Sequence, residues 1–293
     1  MIEPRQLLEG AVDTHVHTAP DVNPRKLNDL EAAQAARAAG MAGLVLKNHF
    51  LPTPLRARLA ESQVPGVRVL GGVVLNHPVG GMKPWAVEAT AAAGGTVVWM
   101  PTIQSANQIA YNAEPGENPL HPLRFDKQGW PAAVQVFDQH GQPTAATLAV
   151  LEVIRDRNLV LATGHLSAVE VERLVTRAHA MGLRRMVATH PDAPLIALPL
   201  ELQRRLAGRG MLFERTFNWL RPPYSALTAP QQAEIIRAVG VASTIMATDF
   251  GQPFNLPPVE GLETYAREML EQGFSAAEIR RMLSDNPRAL LGL

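Results

Sequence analysis

The chain of 293 residues contains no cysteine. That absence excludes disulfides, thiolate metal sites and cysteine nucleophiles, so any transition metal must be held by histidine and carboxylate side chains. It also lacks a surplus of either charge: Lys+Arg and Asp+Glu number 27 each, for a formal net charge of zero. No run of Lys and Arg occurs, and this balance argues against nucleic-acid binding. Long apolar runs are missing as well. Nothing approaches the ~18 residues of a membrane span, and the opening Met1-Ile2-Glu3-Pro4-Arg5 is no signal peptide. The expectation is a soluble, cytoplasmic protein whose partner is a small molecule rather than nucleic acid or membrane. What the chain does have is 46% hydrophobic residues, enough for a large core and too many for a disordered chain.

Short β-branched apolar runs alternate with Ala/Leu-rich amphipathic stretches. The runs fall at residues 10–14, 43–47, 67–75, 96–100, 159–162, 185–188, 211–214 and 243–247. They are near-continuously apolar and of strand length, the pattern of parallel strands buried on both faces. Between them lie helices with readable ends. Ser167-Ala168-Val169-Glu170 is a capping box opening a helix that stops at Gly182, Thr228 opens another that stops at Gly240, and Ser275 a third. The helix near Asp29 ends at Gly40. Eight such strand–helix units predict an α/β fold, a single (β/α)8 TIM barrel over residues 1–293. A doubly wound sheet is the alternative, but no glycine fingerprint follows the first run. One connection is too long: residues 102–143, after the fourth strand, are rich in Pro, Gly and Asn and read as a lid-like insertion with a small hairpin near residues 132–137.

The nine histidines are the strongest signal. His15 and His17 follow the first run, His49 the second and His77 the third. His165 follows the fifth and His190 the sixth, while Asp249 follows the eighth. In a parallel barrel the carboxyl ends of the strands converge on one face, which carries the active site. His15 and His17 are two apart and so point the same way from a strand. Imidazoles plus a carboxylate suit Zn²⁺, with Mn²⁺ or Fe²⁺ as alternatives, as one or two ions. Each residue has a bland reading on its own: His165 as a loop histidine, His190 as a turn residue, Asp249 as a helix cap. Together those readings are poor, because only His121, His140 and His179 fall away from strand ends. His179 lies within a helix and reads as structural, and His121 and His140 lie in the insertion.

The stretch Asp13-Thr14-His15-Val16-His17, with His165, His190 and Asp249, resembles the amidohydrolase superfamily. Its pattern is a His pair after strand one, histidines after strands five and six, and an aspartate after strand eight. The tail from Ser284 to Leu293 is similar to that superfamily's closing helix. More narrowly, His15-Val16-His17-Thr18-Ala19-Pro20-Asp21, Val45-Leu46-Lys47-Asn48-His49 and Thr163-Gly164-His165-Leu166-Ser167 resemble the uncharacterised DUF6282 family. There are departures. Binuclear amidohydrolases usually bridge their metals with a carboxylated lysine or a glutamate after strand four, and Trp99-Met100-Pro101-Thr102 offers neither. Lys47 instead lies after the second run, two residues before His49. A histidine after strand two is reminiscent of PHP-type phosphoesterases, whose barrel has seven strands. Lys47 reads as a carbamate ligand, a substrate anchor or general base, or a core lysine paired with a carboxylate.

The resemblance implies metal-assisted hydrolysis of a small amide, lactone or ester. A metal held by His15, His17 and one or both of His165 and His190 would activate water, and Asp249 would take its proton and return it to the leaving group. His49 and His77 would complete a second metal site or bind substrate. Gln104, Asn107 and Tyr111 are the polar groups nearest strand four. A PHP-type phosphoesterase and a mononuclear decarboxylase are the alternatives. In the latter, Arg215 or Arg221 would hold a carboxylate, although a surface or interface ion pair is the plainer reading of both. A ligand-binding barrel without turnover is disfavoured by the presence of Asp249. Self-association is expected only because barrels often self-associate.

Overall fold

The computed structural model describes residues 3–114 and 132–293. Eight parallel strands follow one another in sheet order β1 to β8. They are β1 (Val12–Val16), β2 (Gly43–Leu46), β3 (Arg68–Val74), β4 (Val97–Trp99), β5 (Val160–Ala162), β6 (Met186–Thr189), β7 (Leu212–Thr216) and β8 (Thr244–Ala247). The ring closes just beyond β8, where Asp249 N donates to the His15 carbonyl at 2.9 Å and His17 N to the Phe250 carbonyl at 2.8 Å. This is the expected (β/α)8 barrel, and its eight strands set it apart from the seven-stranded phosphoesterase architecture. Among the described residues, no helix is long and apolar enough to cross a membrane.

The helices between strands are α1 (Asp29–Ala38), α2 (Pro54–Gln63), α3 (Pro84–Ala92), α4 (Ala106–Ala113), α5 (Ala145–Asp156), α6 (Ala168–Ala180), α7 (Leu200–Ala207) and α8 (Ala229–Val239). Three more, α9 (Pro258–Glu271), α10 (Ala276–Arg280) and α11 (Asn286–Leu291), follow β8. The capping boxes are made as read: Ser167 with Glu170 opens α6, Thr228 with Gln231 opens α8, and Ser275 with Glu278 opens α10. Each satisfies two N–H groups that a helix start otherwise leaves unpaired.

Side chains fill the barrel lumen. Val12, Val45, Leu70, Val74, Val97, Trp99, Val160, Val187 and Ile245 form one apolar cluster, joined by Leu290 and Leu291 of α11. The C-terminal segment is tied to the strands' starting ends. Asn286 Nδ2 donates to the Thr244 carbonyl at 2.6 Å, and Ser284 Oγ to the Gly10 carbonyl at 2.8 Å. With the amino-terminal end plugged, the polar residues at the strands' carboxyl ends gather at the opposite, open end of the barrel.

The two ends of the insertion are packed structure. Ser105 caps α4 by accepting from Gln108 N, and Val134, Val136 and Phe137 are buried in the core. Ser105 pairs with Val134, and Phe137 pairs antiparallel with Pro143 across a tight turn in which Asp138 N donates to the Gln142 carbonyl at 2.8 Å. The remainder of the expected lid, residues 115–131 with His121, lies outside the described residues. Within the described part, Gln104 accepts from His77 N at 2.6 Å. Asn107 donates to the carbonyls of His165 at 3.1 Å and Leu195 at 2.6 Å, so it fastens the loops after β5 and β6 together.

Candidate metal centre

The β1 register shifts between Asp13 and Val16, a bulge of the kind that re-aims side chains beside sites. Asp13 holds it: its Oδ1 accepts from His15 N at 3.2 Å and Thr248 N at 3.0 Å, and its Oδ2 from Thr248 Oγ1 at 2.5 Å. Burial pushes the Asp13 pKa up to about 7 in spite of these bonds. The strand thereby presents His15 and His17 to Asp249, whose Oδ1 stands 3.0 Å from His15 Nε2 and 3.2 Å from His17 Nε2. All three residues are buried. Asp249 itself has φ 57° and His190 φ 27°, a left-handed backbone that non-glycine residues seldom adopt. Such outliers cluster where a site over-determines the backbone.

The other histidines complete a ring of imidazoles. The His165 and His190 Nε2 atoms face each other at 3.1 Å. Ring centroids lie 5.1 Å apart for His17 and His49, and 6.0 Å for His15 and His190. Gly164, at φ 59°, lets the backbone before His165 pass the Met100 carbonyl, which a Cβ there would meet at 2.3 Å. Lys47 reaches into the same cluster, with Nζ 3.1 Å from His15 Nε2. The structure does not bring His77 there: it starts a short 3₁₀ turn, and its Nε2 lies 2.7 Å from the Ala132 carbonyl oxygen.

Behind the ring stands a set of residues that fix the imidazoles. Glu214 Oε2 accepts from His15 Nδ1 at 2.9 Å, while Thr14 Oγ1 donates to its Oε1 at 2.6 Å. Gln108 Oε1 accepts from His165 Nδ1 at 2.6 Å, and Thr102 Oγ1 lies 2.8 Å from His49 Nδ1. A carboxylate or amide oxygen on Nδ1 leaves the Nε2 lone pair directed inward, the tautomer a metal ligand needs. On the outer side, Arg25 approaches His17 Nδ1 at 3.4 Å and pairs with Asp21 at 2.5 Å.

The electrostatics follow from burial and two carboxylates. Burial works against protonation of His15, but Asp249 and Glu214 outweigh it against the opposition of Lys47, and the imidazole is raised. For His17, burial and Arg25 win and its pKa is held well down. Burial takes His190 down to about 3 and Lys47 down to about 8. Asp249, although desolvated, is held well below the usual carboxylate range by His15 and His17.

The residues fit a divalent transition ion. His15, His17 and Asp249 each offer one ligand atom, all within 4.8 Å of one another. With Nδ1 of His15 committed to Glu214, its Nε2 lone pair faces both Asp249 Oδ1 at 3.0 Å and Lys47 Nζ at 3.1 Å, so positive charge is already drawn to the point where these groups meet. Histidine nitrogens and carboxylate oxygens are the donor set of Zn²⁺ and its neighbours.

A small cavity, about 10 Å³ and so room for about one water, opens over this centre. Its lining includes Lys47, His49, His165, His190 and Asp249 together with Gln108, Asn218, Trp219 and Tyr224. Arg215 and Arg221 do not reach it. Arg215 is buried, pairing with Asp192 at 2.5 Å and Gln203 at 2.7 Å, so its ion pair is an internal one rather than the surface or interface pair expected. Arg221 pairs with Glu268 and packs over the Phe217 ring. Sequence reasoning passed over Glu214, Gln108, Trp219 and Tyr224. For Glu214 the signal was present, a carboxylate closing the seventh apolar run, whereas Trp219 and Tyr224 sit in the segment after β7 and Gln108 on α4, where nothing in the sequence marks which polar side chain turns inward.

Fold and centre together define the class: a (β/α)8 barrel carrying a histidine–carboxylate group at the carboxyl ends of its strands. A family model described as "Family of unknown function (DUF6282)" matches residues 10–214, and the chain belongs to that family. None of the curated proteins matches the chain in sequence. Solved structures show the same fold at low identity. A probable 2-pyrone-4,6-dicarboxylic acid hydrolase from Acinetobacter baumannii, with citric acid bound, is 16% identical; the alignment covers 97% of this chain and 100% of that one at a TM-score of 0.62. The probable dipeptidase PvdM from Pseudomonas aeruginosa is 10% identical, with 99% and 96% covered at 0.65. A mutant organophosphorus hydrolase from Deinococcus radiodurans is 13% identical, with 99% and 95% covered at 0.57. The expected likeness to amidohydrolase-type barrels is thus borne out in the fold.

Proposed function

We propose that the chain is a cytoplasmic metal-dependent hydrolase of the amidohydrolase type, cleaving a C–N or C–O bond of a small amide, lactone or ester. The observation that carries this reading is the buried His15–His17–Asp249 group under a cavity bordered by His165, His190 and Lys47. The similar barrels described as hydrolases or a dipeptidase support it. His15, His17 and Asp249 would hold the ion, with His165 and His190 as the remaining imidazole donors and Zn²⁺ as first choice ahead of Mn²⁺ or Fe²⁺. When bound, such an ion supplies Lewis acidity and an activated water near neutral pH.

The chain's own groups then have distinct tasks. Glu214 keeps the proton on Nδ1 of His15, and Gln108 does the same for His165, so both rings keep their inner nitrogens as acceptors. Asp249 is the proton carrier, taking a proton from the attacking water and returning it to the leaving group. Lys47, which lines the cavity, holds the substrate oxygen on which charge develops. His49 borders the cavity and binds substrate from the β2 side.

The test is a panel of small lactones, aryl and alkyl esters, amides, hydroxybenzoic acids and p-nitrophenyl phosphate, assayed with Zn²⁺ or Mn²⁺ supplied. Turnover of a lactone, ester or amide above that of the phosphate, lost in His15→Ala/His17→Ala, is the expected result. Turnover of the phosphate alone would transfer the protein to the phosphoesterases, and CO₂ release without hydrolysis to the decarboxylases.

A further inference from the structure

Two neighbouring helices carry their large side chains on the outside. In α2 the residues packed against the barrel are small, Pro54, Ala57 and Ala60, whereas Leu55 and Leu59 are 69% and 63% exposed. Leu51, just ahead of the helix, is 58% exposed. In α1 the inward residues are again alanines, Ala32, Ala33 and Ala36, and Leu30 in its first turn is 40% exposed. Leu55 and Leu59 stand four residues apart and so share one helix face. The Asp29–Arg56 ion pair, 2.7 Å long, fastens the starts of the two helices together, and Leu30 and Leu55 are the sequence neighbours of its two members. A helix on a barrel surface ordinarily turns apolar residues inward and polar ones outward, and one that is apolar on both faces is covered on both. The remaining helices stay closer to the ordinary pattern. Among the described residues, α3, α4 and α6 expose one large apolar side chain each, and α5, α7, α8 and α9 none.

We propose that this face docks a second copy of the chain, through a two-fold contact in which α1 and α2 of one protomer pack on α1 and α2 of its partner. Such an isologous contact sets the same patch against itself, so the leucines of each copy cover those of the other. Area and charge favour that occupant. Covering the four leucines removes on the order of 300 Å² of apolar surface from each copy, enough for the centre of an interface of roughly 800 Å² per partner. The charges on the same two helices are of both signs, Glu31 and Glu61 beside Arg37 and Arg58, so the patch meets its own copy without gathering like charge. A face that binds membranes would instead surround its apolar residues with an excess of Lys and Arg. The contact also backs the segment that follows β1, because Arg56 donates to the carbonyl of Thr18, the residue after His17, at 2.9 Å. It is independent of the reaction proposed above, and turnover plays no part in its test.

Sedimentation equilibrium of the purified protein from about 1 to 100 μM reads the mass, over the range in which a micromolar or tighter contact forms. A mass of twice 31.7 kDa is expected for the native chain. Leu55→Glu/Leu59→Glu should raise the dissociation constant by about 30-fold or more, the effect of losing a hot spot, while keeping the native thermal transition. A native protein that stays monomeric at the highest concentration overturns the proposal, as does a dimer that survives the double substitution. A double variant that no longer folds also overturns it, because the leucines would then be packed within their own chain. So does a monomeric native protein that co-sediments with anionic phospholipid vesicles. Cross-linking tests the two-fold geometry separately. The chain has no cysteine, so Leu59→Cys supplies its only thiol. A short bismaleimide should convert this variant to a covalent dimer and leave Val169→Cys, exposed on α6 halfway round the barrel, monomeric. Equal cross-linking of the two variants, or none at Leu59→Cys in a protein of dimeric mass, contradicts a contact of this face with itself.

Discussion

Asp249→Asn lowers kcat/KM by about two to four orders of magnitude, the range general acid–base catalysis contributes. The amide keeps the size of the carboxylate and leaves the backbone bond from residue 249 N to the His15 carbonyl, 2.9 Å long, in place. What it removes is the anion between His15 and His17, which the two imidazoles hold well below its usual pKa. The measurement is steady-state kinetics on the best substrate of the panel at several metal concentrations. Asparagine is also a poorer metal ligand, so the metal required for half-maximal activity rises. At saturating metal the remaining loss isolates the missing proton carrier. Activity within about threefold of native at saturating metal would remove Asp249 from the proton path assigned to it, since so small a factor lies well below the general acid–base range.

Arg215→Met destabilises the fold by about 3–5 kcal/mol, the typical consequence of leaving a buried charge without its partner. The Arg215 guanidinium is fully buried and bonds to Asp192 and Gln203, and the Asp192 side chain is only 5% exposed. Methionine fills part of the space and strands the Asp192 carboxylate, two residues beyond His190. Denaturant unfolding of the variant reads the loss. Arg215→Met/Asp192→Leu recovers most of it, because replacing both members of a buried pair by apolar residues is often near neutral. If the single variant is as stable as native, the pair holds neither the β6–α7 loop nor, through it, His190.

The barrel was legible because a parallel sheet buried on both faces needs nearly continuous apolar runs, and eight of them stood between capped helices. The bulge in β1 was not. It depends on Asp13 bonding Thr248, some 235 residues away in sequence, and no local pattern announces such a contact. The histidine–carboxylate cluster could be read because its members are strand-end histidines and an aspartate, residue types otherwise rare in apolar runs. His77 obeys the same placement rule, yet the chain turns into a 3₁₀ segment immediately after β3 and carries its ring away to the Ala132 carbonyl. Residues that act through others were hidden for a related reason. Asn107 and Gln108 are neighbours on α4, and only the helix's orientation decides that Asn107 ties carbonyls while Gln108 meets His165.

The central claim is that the histidine–carboxylate group holds a catalytic transition ion, and metal content tests it most directly. Inductively coupled plasma mass spectrometry on protein purified without added metal should find about one or two equivalents of Zn²⁺, Mn²⁺ or Fe²⁺, the ions this donor set suits. The His15→Ala/His17→Ala variant, folded by its thermal transition, should retain none. A native protein that stays folded, carries no transition metal and takes up neither Zn²⁺ nor Mn²⁺ when offered them would contradict the account.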